Sequence, residues 1–290
     1  MDNPLILGVI SQSGGTIPDI AGEAIALELE NGTNISIEHN IYSTYKILLK
    51  EMEKGKVHIA WLYPFTYLYA NQNDIANAVL LSNHFGIHYY ATQFLAHNGS
   101  GFISYFDADR VQNTAEDNIA LQQFYGKRPC WVSPFSASGF VLPGAYAAKN
   151  GIALQEGVIT QTHAAVVRAL YITGICDFGA TFALSGDPRT SFSVQNDLSD
   201  VMDRIDVIWQ SDAIIPNLNI SFHKSIPIEM QQSLLTALIV LVQTDDGKQL
   251  LSDVNDYEIE NLILIDDSVY DPLRELMEFS PVKLESLVGY

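Results

Sequence analysis

The residues best placed to do chemistry in this sequence sit in short hydroxyl- and glycine-bearing turns that follow apolar runs. Ser136-Ala137-Ser138-Gly139 comes after the strand pattern Arg128-Pro129-Cys130-Trp131-Val132 and opens a helix pattern. A helix N-terminus carries about half a positive charge and unpaired N–H donors, and small hydroxyl residues let an anion approach them closely. The same pattern also suits an ordinary N-cap serine, which stabilises its helix and binds nothing. Tyr63-Pro64-Phe65-Thr66-Tyr67 is a second turn of this kind, after the run Val57-His58-Ile59-Ala60-Trp61-Leu62. Its proline stands where a first helical turn favours one.

Patterns for turnover are missing. The sequence has no G-x-S-x-G, H-E-x-x-H, Walker or G-x-G-x-x-G arrangement. His84 and His88 are four apart, which would suit a metal on a helix, but Phe85-Gly86-Ile87 between them is not a helical setting. Carboxylates are too numerous for spacing to single out a catalytic pair. The balance favours binding over catalysis, with no metal and no cofactor expected.

The elements that must position these turns follow from periodicity. Leu5-Ile6-Leu7-Gly8-Val9-Ile10 is a continuous apolar run, as in a buried parallel strand, and Ser11-Gln12-Ser13-Gly14-Gly15 breaks it. A helix from Pro18-Asp19 to Asn31-Gly32, a strand at Ile35–His39, a helix from Tyr45 to Glu53 closed by Gly55, and a strand at Val57–Leu62 continue the alternation. A second α/β unit begins near Tyr90, with strands expected at Gln93–Ala96, Arg128–Val132, Val158–Gln161 and Ile175–Ala180. Val207–Trp209 and Asn219–Phe222 then lead to a long helix from Pro227 to Val242, while Gly186–Asn196 reads as polar and turn-like. Repeated β-α-β with short links implies α/β lobes built on mainly parallel sheets flanked by helices.

Composition narrows the function classes. Length alone, at 290 residues, makes two lobes the starting expectation. The chain holds 34 acidic and 15 basic residues, a formal charge of −19. Such a chain repels nucleic-acid backbones and anionic lipid. Hydrophobic residues at 48% against 17% charged support a sizeable core. The two cysteines, Cys130 and Cys176, fit no zinc pattern and read best as buried free thiols. Met-Asp-Asn-Pro lacks the basic and apolar regions of a leader, and no apolar run reaches the roughly 18–20 residues that span a bilayer. The chain is therefore either cytoplasmic or shown without its leader.

Several stretches, in order, resemble the phosphonate/phosphite/phosphate family of ABC-transporter substrate-binding proteins, with the two-lobed type II periplasmic-binding fold. Tyr45 through Gly55 into Val57–Tyr67 resembles the family's Y-x9-G-x-V-D-I-A-W-x-G-P-F-S-Y stretch. Tyr90-Ala91-Thr92 resembles its Y-x-S, and Ser136–Pro143 its S-T-S-G-Y-L-x-P. His163 with Gly174–Ala180 resembles H…G-x-V-D-A-G-A, and Trp209-Gln210-Ser211 with Ile215-Pro216 resembles the S-x-x-I-P return. Departures are Ala137 for threonine, Tyr63 for glycine and His58 for aspartate. The acids that aminophosphonate binders carry after D-A-G-A and I-P are absent from Thr181–Leu184 and Asn217-Leu218.

The resemblance implies lobes of residues 1–90 plus 211–290 and of 91–210, closing about strands near Tyr90–Phe94 and Asp206–Ser211 on a small phosphorus oxyanion. Ser136, Ala137, Ser138 and Gly139 would supply donors from the second lobe, with Tyr45, Tyr90 and His163 adding theirs and Thr66 on the first-lobe wall. An ABC permease in the membrane would be the partner, the protein monomeric, extracytoplasmic and not an enzyme. The alternatives are a ligand-sensing domain of the same fold, a binder of a different small ligand, or an enzyme of this fold using His163. The residues keep plainer readings too. Tyr45 and Tyr90 suit packing aromatics, Arg168 a structural ion pair, Asp177 a turn cap, and Trp61, Trp131 and Trp209 core packing.

Overall fold

The computed structural model describes residues 3–11 and 15–288. Gln12, Ser13 and Gly14 of the expected first turn lie outside the described residues. The chain divides into two compact units. Met1–His88, Pro216–Asp271 and Leu284–Tyr290 form the first, and Tyr89–Ile215 with Pro272–Lys283 form the second. The crossings thus fall at His88/Tyr89, Ile215/Pro216, Asp271/Pro272 and Lys283/Leu284. Pro272–Lys283, left with the first lobe by the sequence reading, groups with the second unit, where Pro281 packs close to Gly144.

The first unit is built on a sheet with the spatial order Asn261–Leu264, Ala76–Asn83, Asn219–His223, Ile59–Leu62, Leu5–Ile10 and Ile37–Tyr42. Leu5–Ile10 lies parallel between Ile37–Tyr42 and Ile59–Leu62. Its run is apolar throughout because both faces are covered. Leu5, Leu7 and Val9 pack with Ile25 and Leu29 of the helix Thr16–Thr33 and with Leu234 and Leu238 of the helix Ile228–Leu241. On the other face Gly8 lies against Leu48, from the helix Tyr45–Glu53, and Val57.

The second unit's sheet runs Ile205–Gln210, Tyr89–His97, Phe178–Ala183, Pro129–Trp131 and Val158–Ile159, with Ile215–Pro216 also paired to Tyr89–His97. Its core includes Leu95, Val132, Val166, Val167, Leu170, Val194 and Val207.

Most strands of each sheet share one direction, as expected, and antiparallel strands are inserted among them. Asn219–His223 inserts between Ile59–Leu62 and Ala76–Asn83 and runs against both. Tyr89–His97 runs against Phe178–Ala183 and Ile205–Gln210 in the same way. Each of these strands follows directly on a crossing between units instead of a helical crossover, so nothing imposes parallel direction on it.

The thiols also differ from expectation. Cys130 and Cys176 form a disulfide, with Cα atoms 5.6 Å apart. Cys130 lies on Pro129–Trp131, whose Pro129 is in register with Phe178, only two residues beyond Cys176. Neighbouring chains in a sheet bring such residues within the bridging range. Strands at Ala76–Asn83 and Asn261–Leu264, not expected from sequence, are present. The polar stretch after Gly186 contains a helix at Phe192–Asp197. Among the described residues no helix is long and apolar enough to cross a membrane.

Candidate functional site

In the second unit, Val158–Ile159, Pro129–Trp131 and Phe178–Ala183 are parallel neighbours, so their C-terminal ends share one edge. Two helical segments start there. A π-helical turn at Ala137–Val141 runs into the helix Leu142–Lys149, and the helix His163–Ile172 follows Val158–Ile159. Helix N-termini gathered at the carboxyl edge of a sheet make the usual binding edge of α/β proteins.

The serine turn satisfies some of its own donors and leaves others. The Ser136 amide donates to the Ser133 carbonyl at 3.1 Å, and the Val141 amide to the Ser136 carbonyl at 3.0 Å. The Gly139 amide donates to Ser136 Oγ at 3.1 Å. The amides of Ala137 and Ser138 and the Ser138 hydroxyl have no partner among the described residues. Ser138 is buried, and its carbonyl accepts from Thr92 Oγ1 at 2.6 Å. Thr92 in turn donates its amide to Ser211 Oγ at 3.0 Å. Glycine is required at position 139, where a Cβ would stand 2.3 Å from Val132 Cγ2.

Val132 ties the two helix entrances together. Its amide donates to the Gly139 carbonyl at 3.1 Å, and its own carbonyl accepts the Gln161 amide at 2.7 Å. Gln161 precedes Thr162, which caps the second helix by accepting from the Ala165 amide at 3.1 Å. His163, the first residue of that helix, lies edge-on to Phe182 with centroids 4.7 Å apart. Its Nδ1 is buried without a partner among the described residues. Burial lowers its pKa to about 4, so the ring is neutral at physiological pH and offers one N–H and one lone pair. The helix approaches this closely because Gly179 has no side chain; a Cβ there would meet Val166 Cγ1 at 2.4 Å.

The first unit repeats the arrangement. Leu5–Ile10, Ile37–Tyr42 and Ile59–Leu62 are aligned in parallel, and the helices Tyr45–Glu53 and Pro64–Gln72 start beyond two of their C-terminal ends. Thr44 caps the first of these helices through the Ile47 amide at 3.3 Å. Tyr45 is buried and edge-on to Tyr63 at 5.8 Å. Burial, with Tyr63 beside it, holds the Tyr45 phenol well above its ordinary pKa, so it stays a neutral donor. Thr66 is buried in the first turn after Pro64, and neither its hydroxyl nor that of Tyr45 has a partner among the described residues.

The expected site residues therefore separate by unit. Tyr45 and Thr66 belong to the first, while Tyr90, Ser136, Ala137, Ser138, Gly139 and His163 belong to the second. Tyr90 is half-buried on the strand Tyr89–His97. The plainer readings of two charged residues hold. Arg168 pairs with Asp197 at 2.7 Å, and Asp177 accepts the Arg128 amide at 2.7 Å. His84 Nδ1 is bonded to the Glu258 carbonyl, and among the described residues no cluster of three ligating side chains could hold a metal. Thr92 and Ser211 were not singled out from sequence. Each lies inside a quoted stretch, but nothing local reveals that one bonds the other across the sheet.

A family model described as ABC transporter, phosphonate, periplasmic substrate-binding protein matches residues 21–270. The chain belongs to this family. The family is a substrate-binding component of transporters, not a family of enzymes. A relative in Mycolicibacterium smegmatis, the phosphate-import protein PhnD, is 28% identical over 199 residues, which cover 64% of this chain and 56% of the relative. The match thus spans little more than half of that protein's length. Among solved structures, XAC2383 from Xanthomonas citri bound to ATP superposes with a TM-score of 0.69 at 14% identity, over 98% of this chain and 97% of that one. PhnD1 from Prochlorococcus marinus in complex with methylphosphonate gives 0.58 at 12% identity, over 94% and 97%. At such identities these likenesses establish the type II periplasmic-binding fold alone.

Proposed function

We propose that this protein captures a small phosphorus oxyanion, whether phosphonate, phosphite or phosphate, and delivers it to an ABC permease. The observation that carries this reading is the set of donors at Ala137 and Ser138 that have no partner among the described residues, both amides and the Ser138 hydroxyl, at a helix start backed by Thr92. Neutral donors that are preorganised and shielded from bulk water hold an anion through undamped dipoles. None of the site turns carries lysine or arginine, so recognition by hydrogen bonds replaces counter-charge. Tyr45, Thr66, Tyr90 and neutral His163 add further uncharged donors. The names of relatives that import phosphate or hold methylphosphonate support the same ligand class.

The same reading makes the protein an extracytoplasmic monomer that binds no nucleic acid. The Cys130–Cys176 disulfide suits an oxidising compartment. The charge of −19 opposes polyanion binding. It slows the encounter with a small anion without forbidding it, since salt screens such fields beyond about 8–10 Å.

Calorimetric titration with phosphate, phosphite and methylphosphonate tests the assignment on the native protein, Ser136→Ala and Ser138→Ala. Losing one hydrogen bond to a charged ligand costs about 1.5–3 kcal/mol, roughly 10- to 150-fold in affinity. Absence of heat with every ligand, or unchanged affinity in both variants, rejects the site.

A further inference from the structure

We infer that the groove between the helices Thr16–Thr33 and Ile228–Leu241 of the first unit is a second ligand site, which takes a linear polyamine of the spermidine class. The groove lies within one unit, and the inference does not depend on the oxyanion reading.

Its volume is about 620 Å³, within the range of small-molecule sites. The helices approach closely at its floor, where a Cβ at Gly32 would stand 3.3 Å from the Ala237 Cβ. Ala237, Val240 and Leu241 give the groove an apolar strip, and Val240 is 61% exposed. From Ser233 to Leu241 the second helix rises about 12 Å, so the lining is elongated. A methylene chain suits such a strip.

The polar lining consists mainly of acceptors. The hydroxyls of Thr33, Ser233 and Thr236 donate to the carbonyls of Leu29, Glu229 and Gln232 at 2.6, 3.2 and 2.9 Å. Thr244 donates to the Leu241 carbonyl at 3.1 Å. With those protons committed, the hydroxyls can offer a guest only lone pairs. Glu28 adds an exposed carboxylate with no ion-pair partner among the described residues. Among the described residues of the lining, only the Asn31 amide is left to donate.

The backbone has the same sign. Both helices end in the groove, one at Asn31–Thr33 and the other at Val240 and Leu241. A helix C-terminus carries about half a negative charge, which lysine or arginine in the last turn can offset. Neither helix has a basic residue there, and none lines the groove among the described residues. An elongated, negative, acceptor-lined groove with an apolar strip is the complement of ammonium groups joined by methylene chains. A metal ion is a poorer guest, because among the described residues no three ligating side chains meet.

Calorimetry with spermidine in about 0.15 M sodium chloride tests this on the intact native protein and on Glu28→Gln, Thr236→Lys and Glu23→Gln. The native protein should show a single saturable site for spermidine and none for magnesium chloride. Glu28→Gln should weaken binding about fivefold. Thr236→Lys, whose own ammonium can fill the groove, should abolish it. Glu23 is an exposed carboxylate of the same helix outside the lining, so Glu23→Gln makes the same change in net charge and should bind within about twofold of the native protein. Absence of saturable binding, equal weakening in Glu23→Gln and Glu28→Gln, or native affinity in Thr236→Lys overturns the site. Magnesium binding as strong as that of spermidine would also overturn it, by reducing the effect to diffuse attraction toward the −19 charge.

Discussion

The Thr92 hydroxyl donates to the Ser138 carbonyl at 2.6 Å, and both residues are buried. This bond joins a strand of the second unit to the serine turn, fixing the carbonyl side of Ser138 while its amide and hydroxyl have no partner among the described residues. Thr92→Val keeps the shape of the side chain but orphans a buried carbonyl. The expected loss is about 1–3 kcal/mol of stability, seen by urea denaturation, together with weaker oxyanion binding. A variant as stable as the parent would show that the bond does not hold the turn.

Gly139→Ala tests the packing beneath the same turn. A Cβ there would lie 2.3 Å from Val132 Cγ2 and 2.7 Å from Val132 Cβ. Relief requires the turn or the strand end to shift, at a cost of about 1–3 kcal/mol. Val132→Ala in the same chain should recover part of that loss. Equal stability of the single and double variants would point to a cause other than this contact.

The Cys130–Cys176 bridge spans 46 residues of sequence that include the serine turn and His163. Replacing both cysteines by serine should lower stability by about 2–4 kcal/mol. Dithiothreitol should depress the melting temperature of the native protein and leave that of the double variant unchanged. Insensitivity of both proteins to the reductant would mean that the bridge is not formed in solution.

His163 gives a pH dependence of defined sign. Its folded pKa lies near 4, against 6.5 for an ordinary histidine. Between those values the unfolded chain holds the proton and the native chain does not, so stability falls as pH drops from about 6.5 toward 4. The slope from this one residue is at most about 1.4 kcal/mol per pH unit, and above pH 6.5 it contributes none. Denaturation of the native protein and of His163→Gln at pH 7 and pH 5 should show the greater loss in the native protein. An equal loss in the two would assign the acid sensitivity elsewhere.

The sequence by itself determined those features that neighbouring residues decide among themselves. The helix Tyr45–Glu53 has the bounds its pattern suggests, and the serine turn follows its strand and opens a helix as the order Ser136-Ala137-Ser138-Gly139 implies. Turn chemistry and apolar periodicity act over a few residues, so they are visible without a fold.

Tertiary structure alone decided what depends on residues distant in the chain. Asn219–His223 reverses the sheet direction between strands more than 130 residues earlier. Cys130 meets Cys176 because two strands are neighbours, and Thr92 reaches Ser138 across 46 residues of sequence. Such pairings are fixed by which surfaces pack together, and no local pattern encodes the partner. That is why candidate donors could be proposed from sequence, while the contacts around them, such as Thr92 with Ser138, could not.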